Sequence, residues 1–248
     1  MKHTMRICEN KEIAADIYRL SLEGNEKITY QPGQFINIRI NEAGLFLRRP
    51  FSISYHQGSQ LIILYKLEGK GTDWLSKQAV NQSLDILGPL GHGFKPIQNG
   101  QAVLIGGGIG IAPLLGLIEE LHRQNTTVHL YAGYQSQPMI YESHRLESAD
   151  QLTLETMDGS TANRGSILSW LPDIDVNTAI YSCGPRGFLR ALMDRFPDHH
   201  NLYVSLEERM GCGVGLCYGC TCHGREADES RLICTDGPVF NAKEINYD

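Results

Sequence analysis

Glu208-Arg209-Met210-Gly211-Cys212-Gly213-Val214-Gly215-Leu216-Cys217-Tyr218-Gly219-Cys220, with Cys234 after a gap of thirteen residues, is the stretch on which the reading of this chain turns. Four residues separate the first two cysteines and two separate the next pair. That is the Cys-x4-Cys-x2-Cys…Cys spacing that holds plant-type [2Fe–2S] clusters. Two irons with bridging sulfides need four thiolates, and three of them must come from one loop wrapped around the cluster. Gly211, Gly213, Gly215 and Gly219 let that backbone turn its N–H groups onto sulfur. Such contacts stabilise the reduced, more negative cluster. A structural zinc competes with this reading, but zinc ribbons usually carry two short Cys pairs rather than a run of three and a lone fourth. Disulfides or free thiols are the other alternative. Cys212, Cys217, Cys220 and Cys234 are therefore the candidate ligands, with Cys222 a spare thiol.

The totals frame this. At 248 residues the chain has room for two domains and a short appendage. Its hydrophobic content of 42% and charged content of 20% are those of an ordinary globular protein. A net charge of −6 and the lack of a long basic run argue against a nucleic-acid surface. Of the seven cysteines, five fall between Cys212 and Cys234, which is no secreted disulfide framework and fits a reducing cytosol. Met1-Lys2-His3-Thr4-Met5-Arg6 has no apolar run behind it to make a signal peptide. Ile105 to Ile118 is too short and glycine-rich for a membrane span.

From Ile17 to Gly91 the chain reads as short strands. Tyr18, Leu20 and Leu22 alternate with polar neighbours, as do Ile36, Ile38 and Ile40, while Leu61 to Tyr65 is a continuous apolar run typical of a strand buried on both faces. Pro32-Gly33, His56-Gln57-Gly58 and Gly88-Pro89-Leu90-Gly91 punctuate them, and the spacing suggests a small antiparallel barrel. Inside it, Arg48-Arg49-Pro50-Phe51-Ser52 offers guanidinium groups, an aromatic and a hydroxyl to a phosphorylated aromatic cofactor. Glu68-Gly69-Lys70-Gly71-Thr72-Asp73-Trp74 reads as a glycine turn into a helix capped by Thr72, whose bare N–H groups suit phosphate. Taken singly, these are a solvated edge and an ordinary cap.

After Gln98-Asn99-Gly100 the period changes. Ala102–Ile105 is a short buried strand, Gly106-Gly107-Gly108-Ile109-Gly110-Ile111-Ala112-Pro113 a glycine loop, and Leu114 to Arg123 has helical spacing. Strands at Thr127–Tyr131, Leu152–Glu155 and Ala179–Ser182 alternate with helical stretches, so the sheet is open, mostly parallel, and binds at its carboxyl edge. The loop departs from Gly-x-Gly-x-x-Gly, because Ile111 or Pro113 stands where the third glycine belongs. A tight turn that binds nothing is the bland reading, and close backbone approach to a nucleotide the functional one. Cys183-Gly184-Pro185 ends the last strand in the same crevice, and Cys183 is also a plausible small buried hydrophobe. No hydrolytic constellation appears and the nine histidines are scattered, with His199-His200 an exposed pair near a turn. No residue is assigned a catalytic role with certainty.

Arg49-Pro50-Phe51-Ser52, Gly106 to Pro113, Cys183-Gly184-Pro185 and the four cysteines stand in the order seen in ferredoxin-reductase-like flavoproteins with a C-terminal cluster. The chain most resembles the electron-transfer subunits of class 1B dihydroorotate dehydrogenases, over nearly its whole length, down to Asp236-Gly237-Pro238-Val239-Phe240. The resemblance implies a β plus α/β architecture in three parts: an antiparallel FAD-binding barrel (1–99), a parallel-sheet NAD-binding domain (100–206) and a cysteine-rich [2Fe–2S] lobe (207–248). It implies that Arg49, Pro50, Phe51, Ser52, Leu64, Tyr65, Lys66, Gly71 and Thr72 contact FAD, with Arg49 and Thr72 at the pyrophosphate and Ser52 and Tyr65 near the ring or ribose. Gly106, Gly107, Gly108, Gly110, Ala112, Pro113, Cys183, Gly184 and Pro185 would receive NAD(H). Phe51 replaces the tyrosine common in the wider superfamily, so a hydroxyl contact is missing there.

The implied partner is an FMN-containing catalytic subunit that oxidises dihydroorotate, in a heterotetramer of two subunits of each kind working in cytoplasmic pyrimidine (UMP) biosynthesis. A hydride carries two electrons, a cluster takes one, and FAD mediates between them. Neither nucleic acid nor membrane is an expected partner. The same build with another partner, as in ferredoxin–NAD(P)⁺ reductase or sulfide dehydrogenase subunits, is the nearest rival. A non-catalytic binding subunit with a structural metal is the rival of another class. Tyr134-Gln135-Ser136-Gln137 offers no arginine for a 2′-phosphate, which favours NAD over NADP, although Arg145 is close enough in sequence to reach back.

Overall fold

A computed structural model of the chain describes residues 1–161, 163–226 and 229–246. The first seven strands, β1 (Lys2–Ala14), β2 (Ile17–Glu23), β3 (Phe35–Ile38), β4 (Arg49–Ser52), β5 (Tyr55–Gln57), β6 (Gln60–Lys66) and β7 (Ser83–Leu90), form one antiparallel sheet in the order β4-β3-β7-β1-β2-β6-β5. Immediately after β4, Ser54 N–H donates to the Ile62 carbonyl of β6 at 2.9 Å, which curls the sheet into a barrel. Met5, Ile7, Leu20, Leu22, Ile36, Ile38, Ile63 and Ile86 fill it. Each such side chain contributes about 1.5–3 kcal/mol by leaving water.

β1 is absent from the strands read off the sequence, which begin at Ile17. Only Met5 and Ile7 are buried among its thirteen residues, so it carries little apolar alternation. It is held instead by backbone ladders to β2 on one side and β7 on the other. The helix α1 (Lys70–Ser76) also starts differently from the reading above. Gly69 occupies the cap, in extended conformation, and Thr72 is the third helical residue. The Thr72 hydroxyl accepts from the N–H groups of Glu68 and Gly69, both at 3.0 Å, and so closes the turn from inside the helix.

The second sheet is built from β8 (Gly100–Gly107), β9 (Thr126–Tyr134), β10 (Gln151–Thr156), β11 (Ala179–Cys183) and β12 (Leu202–Ser205), with α2 (Ala112–Arg123), α3 (Ser143–Leu146) and α4 (Arg186–Arg195) between them. Its order, β10-β9-β8-β11-β12, reverses direction between β8 and β11. The carboxyl ends of those two strands therefore frame a crevice, the usual ligand position in such sheets. The chain then makes a small sheet from β13 (Thr221–Gly224), β14 (Ser230–Leu232) and β16 (Ile245–Asn246), while β15 (Val239–Asn241) returns to pair antiparallel with β12. The cysteine-rich lobe thus shares its core with the second sheet: Met210, Cys220, Cys222, Ile233 and Cys234 pack with Ile105, Ile180, Leu189 and Leu192. His199, expected at an exposed turn, is 4% exposed, because its ring meets Phe196 edge-on and Nε2 donates to the Asp175 carbonyl at 3.2 Å.

Barrel and second sheet meet at α2 and at a polar cluster. Tyr55 OH donates to Glu142 Oε1 at 2.7 Å and accepts from Arg19 Nε at 3.3 Å. Arg19 also holds both Glu9 oxygens, at 2.9 and 3.0 Å. Arg145 lies 3.5 Å above the Tyr55 ring and pairs with Glu119. Burial, and then the bond to Glu142, push the Tyr55 hydroxyl up to about 12, so it remains a donor at neutral pH. Arg145 is consumed in this joint and does not line the nucleotide crevice, contrary to the possibility raised by its place in the sequence. No helix among the described residues is long and apolar enough to cross a membrane.

Candidate functional site

A cavity of about 660 Å³ opens where barrel, second sheet and cysteine lobe meet. On the barrel side it is lined by Arg49, Pro50, Phe51 and Ser52 of β4, Leu64, Tyr65 and Lys66 of β6, and Thr72 of α1. The antiparallel register turns these segments toward one mouth, and α1 follows directly after β6. Arg49 spends its hydrogen bonds on the Leu47 carbonyl at 2.7 Å and the Arg48 carbonyl at 3.4 Å, and makes no ion pair among the described residues. Its charge is left facing the cavity, which suits a pyrophosphate. Gly71 is not at the surface of the cavity. It lies behind Arg49, where a Cβ would come within 2.8 Å of Nε. Arg48 is tied elsewhere, to Asp85 at 2.7 Å and to the Asp85 carbonyl at 2.9 Å. Phe51 and Tyr65 meet edge-on with centroids 5.7 Å apart, and the Tyr65 hydroxyl donates to Asn10 at 2.9 Å, away from a ligand.

The opposite wall went unassigned in the sequence. It consists of Leu206, Glu207, Glu208, Arg209 and Met210, with Pro238 and Phe35. Leu206 to Met210 immediately precede Gly211 and Cys212, so proximity to the cysteine run was their only signal. Glu207 opens to the cavity yet is walled by protein. Desolvation, then Glu68 across the gap, push its carboxyl above the usual carboxylate range.

A second cavity of about 460 Å³ lies at the reversal point of the parallel sheet. Gly107, Gly108 and Pro185 line it. Gly106, Gly110, Pro113, Cys183 and Gly184 line neither cavity, and Ala112 borders the first. Gly106, Gly110 and Gly184 stand where a Cβ would collide, which lets the loop close tightly. A Cβ at Gly110 would lie 2.5 Å from the Cys183 carbonyl and the Gly184 backbone. Tyr141 OH donates to the Gly108 carbonyl at 3.0 Å and steadies the same loop. Burial, and next Glu207, raise the Cys183 thiol well above its ordinary value, so it is a neutral buried group. Tyr134, Gln135, Met139, Met157, Ser166 and Phe188 also line it, and Lys66 is its only cation among the described residues. Lys66, Glu68 and Ile109 border both cavities, so molecules filling them would meet there.

Four of the lobe's five cysteines cluster in two pairs, Cys212 interacting with Cys217 and Cys234 with Cys220. Val214 and Leu216 N–H donate to Cys212 Sγ at 3.4 and 3.3 Å, Gly215 N–H to Cys234 Sγ at 3.2 Å, and Cys212 and Gly219 N–H to Cys217 Sγ at 3.4 and 3.5 Å. The Val214 bond leads in holding the Cys212 thiol down at about 7, while burial takes Cys234 up to about 11. Among the described residues no three His, Cys, Asp or Glu converge on a single-ion site. Two thiol pairs within a cradle of N–H donors fit a two-iron group better than one zinc. Cys222, on β13, belongs to neither pair, and burial raises its thiol to about 11.

Residues 4–94 match the FAD-binding domain of oxidoreductases, and residues 207–246 the iron-sulfur cluster binding domain of dihydroorotate dehydrogenase B. The chain is 37% identical over 253 residues to the dihydroorotate dehydrogenase B (NAD(+)) electron transfer subunit of Bacillus pumilus, covering 98% of each. It is 37% identical over 254 residues to the protein of that name from Enterococcus faecalis, covering 97% of each. Among solved structures it is similar to that of an NADH-dependent reduced ferredoxin-NADP oxidoreductase, with a TM-score of 0.86 over 98% of this chain and 90% of that one. Identity there is 22%, so the likeness speaks for the fold alone.

Proposed function

This chain belongs to the family of dihydroorotate dehydrogenase B electron transfer subunits, and from that membership we propose that it relays electrons between a catalytic partner and NAD⁺. The partner is a subunit that oxidises dihydroorotate on its own FMN, assembled with this chain as two of each in the cytoplasm, in the service of UMP synthesis. The first cavity receives FAD, with Arg49 and Thr72 at the pyrophosphate and Phe51, Ser52, Leu64 and Tyr65 along the ring system. The second receives NAD(H) against Gly107, Gly108 and Pro185. Cys212, Cys217, Cys220 and Cys234 hold the [2Fe–2S] cluster. FAD supplies the exchange between one-electron and two-electron chemistry. The chain's own residues bring the three sites together.

The observation that carries this reading is continuity. Ile109, Lys66 and Glu68 are shared by the two cavities, and the far wall of the first runs through Glu208-Arg209-Met210 straight into Cys212. Among the described residues no arginine borders the second cavity, which supports NAD over NADP. The test is an anaerobic visible spectrum before and after NADH, with flavin, iron and zinc assayed on the same sample. A brown-yellow protein bleached by NADH, more readily than by NADPH, is expected to reduce dyes but form no orotate until the partner is added. Orotate from the chain alone, or a colourless zinc protein, overturns the proposal.

A further inference from the structure

Asn37 occupies the middle of β3. Its neighbours Ile36 and Ile38 turn into the barrel core, so its side chain leaves on the opposite face. That face lies under the cysteine loop. Asn37 is 1% exposed, and neither Oδ1 nor Nδ2 has a hydrogen-bond partner. A buried amide left in this state is costly, and native proteins seldom leave one so.

What the amide faces is Gly213. A Cβ there would overlap Nδ2 and lie 3.2 Å from Cγ, and the backbone is at φ +72°. Only glycine admits this approach. The residues that follow, Val214, Gly215 and Leu216, all aim their N–H groups at Cys212 or Cys234 sulfur. The Asn37 amide thus abuts the loop whose N–H groups serve sulfur, and no protein acceptor among the described residues reaches it.

We infer that Asn37 Nδ2 donates a hydrogen bond to sulfur of the cluster held by this loop, and that it raises the cluster's reduction potential. The inference rests on the electron-relay reading above. A further donor stabilises the more negative reduced state, as the loop N–H groups do. It also ties the barrel that receives the flavin to the lobe that receives the cluster. Asn37 acts through the cluster and is a positioning and tuning residue.

Asn37→Leu keeps the volume and removes the donor. In the full chain we expect unchanged iron and flavin content and an unchanged flavin potential. At a fixed ambient potential the cluster's reduced-to-oxidised ratio should fall about tenfold, as for loss of one hydrogen bond. That corresponds to about 59 mV for a one-electron couple. The deuterium-sensitive shift of the Fe–S stretching bands in D₂O should shrink as well. A loaded variant whose potential and D₂O shift match the native protein overturns the inference and makes Asn37 a packing residue. If Asn37→Leu fails to hold iron, Asn37→Ser is titrated instead and judged by the same two readouts. A native chain that carries no iron defeats the cluster reading itself, a result distinct from a loaded cluster indifferent to Asn37.

Discussion

Replacing Gly116 with alanine should slow the reaction between NADH and flavin without removing either cofactor. Gly116 lies on α2 where the helix crosses the barrel, and a Cβ there would stand 2.5 Å from the Ser54 carbonyl oxygen and 2.9 Å from Tyr30 OH. Ser54 is fully buried and its N–H is committed to Ile62, so that carbonyl has little room to move. Ordinary contact begins near 3.4 Å, so helix and barrel must part by about 0.9 Å. Ala112, one turn earlier on α2, borders the first cavity, and Ile109 just before the helix borders both. Reacting groups misplaced by about 1 Å can lose about 100-fold in rate. Overpacking of about 1–3 kcal/mol is partly offset by about 1 kcal/mol of helix propensity. The net cost should lower Tm by a few degrees, at about 2–4 °C per kcal/mol for a chain of this size. The assay is stopped-flow bleaching of the flavin by NADH, with NADH Kd and flavin content measured in parallel. We expect a rate lower by about 10- to 100-fold with Kd within about threefold. Bleaching at the native rate would refute the idea that α2 sets the distance between the cavities.

Cys234→Ser should lose or visibly alter the cluster spectrum, whereas Cys222→Ser should leave it unchanged; the reverse result in the visible and EPR spectra would reassign the fourth ligand. Asp85→Asn removes the partner of Arg48 and should cost about 1 kcal/mol at neutral pH, read as a lower Tm. Burial opposes ionisation of Asp85, but Arg48 and Lys2 outweigh it and hold the carboxyl below its ordinary 3.8. Its contribution is therefore present above that value and lost as pH falls through the depressed pKa, so the native and variant Tm curves should converge only in strong acid. Tyr55→Phe deletes the hydroxyl between Arg19 and Glu142 and should destabilise the chain by about 1–2 kcal/mol, measured by denaturant titration. The loss should be non-additive with Arg19→Ala, and strict additivity in the double-mutant cycle would show that the joint does not act as a unit.

The cysteine spacing was legible because a two-iron cluster fixes how many thiolates one loop must supply. The glycine loop and the apolar strands of the parallel sheet were legible for a similar reason: close backbone approach and two-sided burial each demand particular residue types. β1 was not legible, since thirteen residues with two buried side chains form a strand only when partners on both edges complete their hydrogen bonds. Thr72 was misplaced by one turn because residue preference marks a cap, whereas backbone dihedrals decide it, and Gly69 has the extended conformation. The roles of Glu207, Arg145, Asn37 and Gly116 depend on contacts between segments tens of residues apart. Local sequence thus determined which chemistry this protein can hold. Only the tertiary structure decided which residues face it, because facing is set by how barrel, sheet and lobe pack against one another.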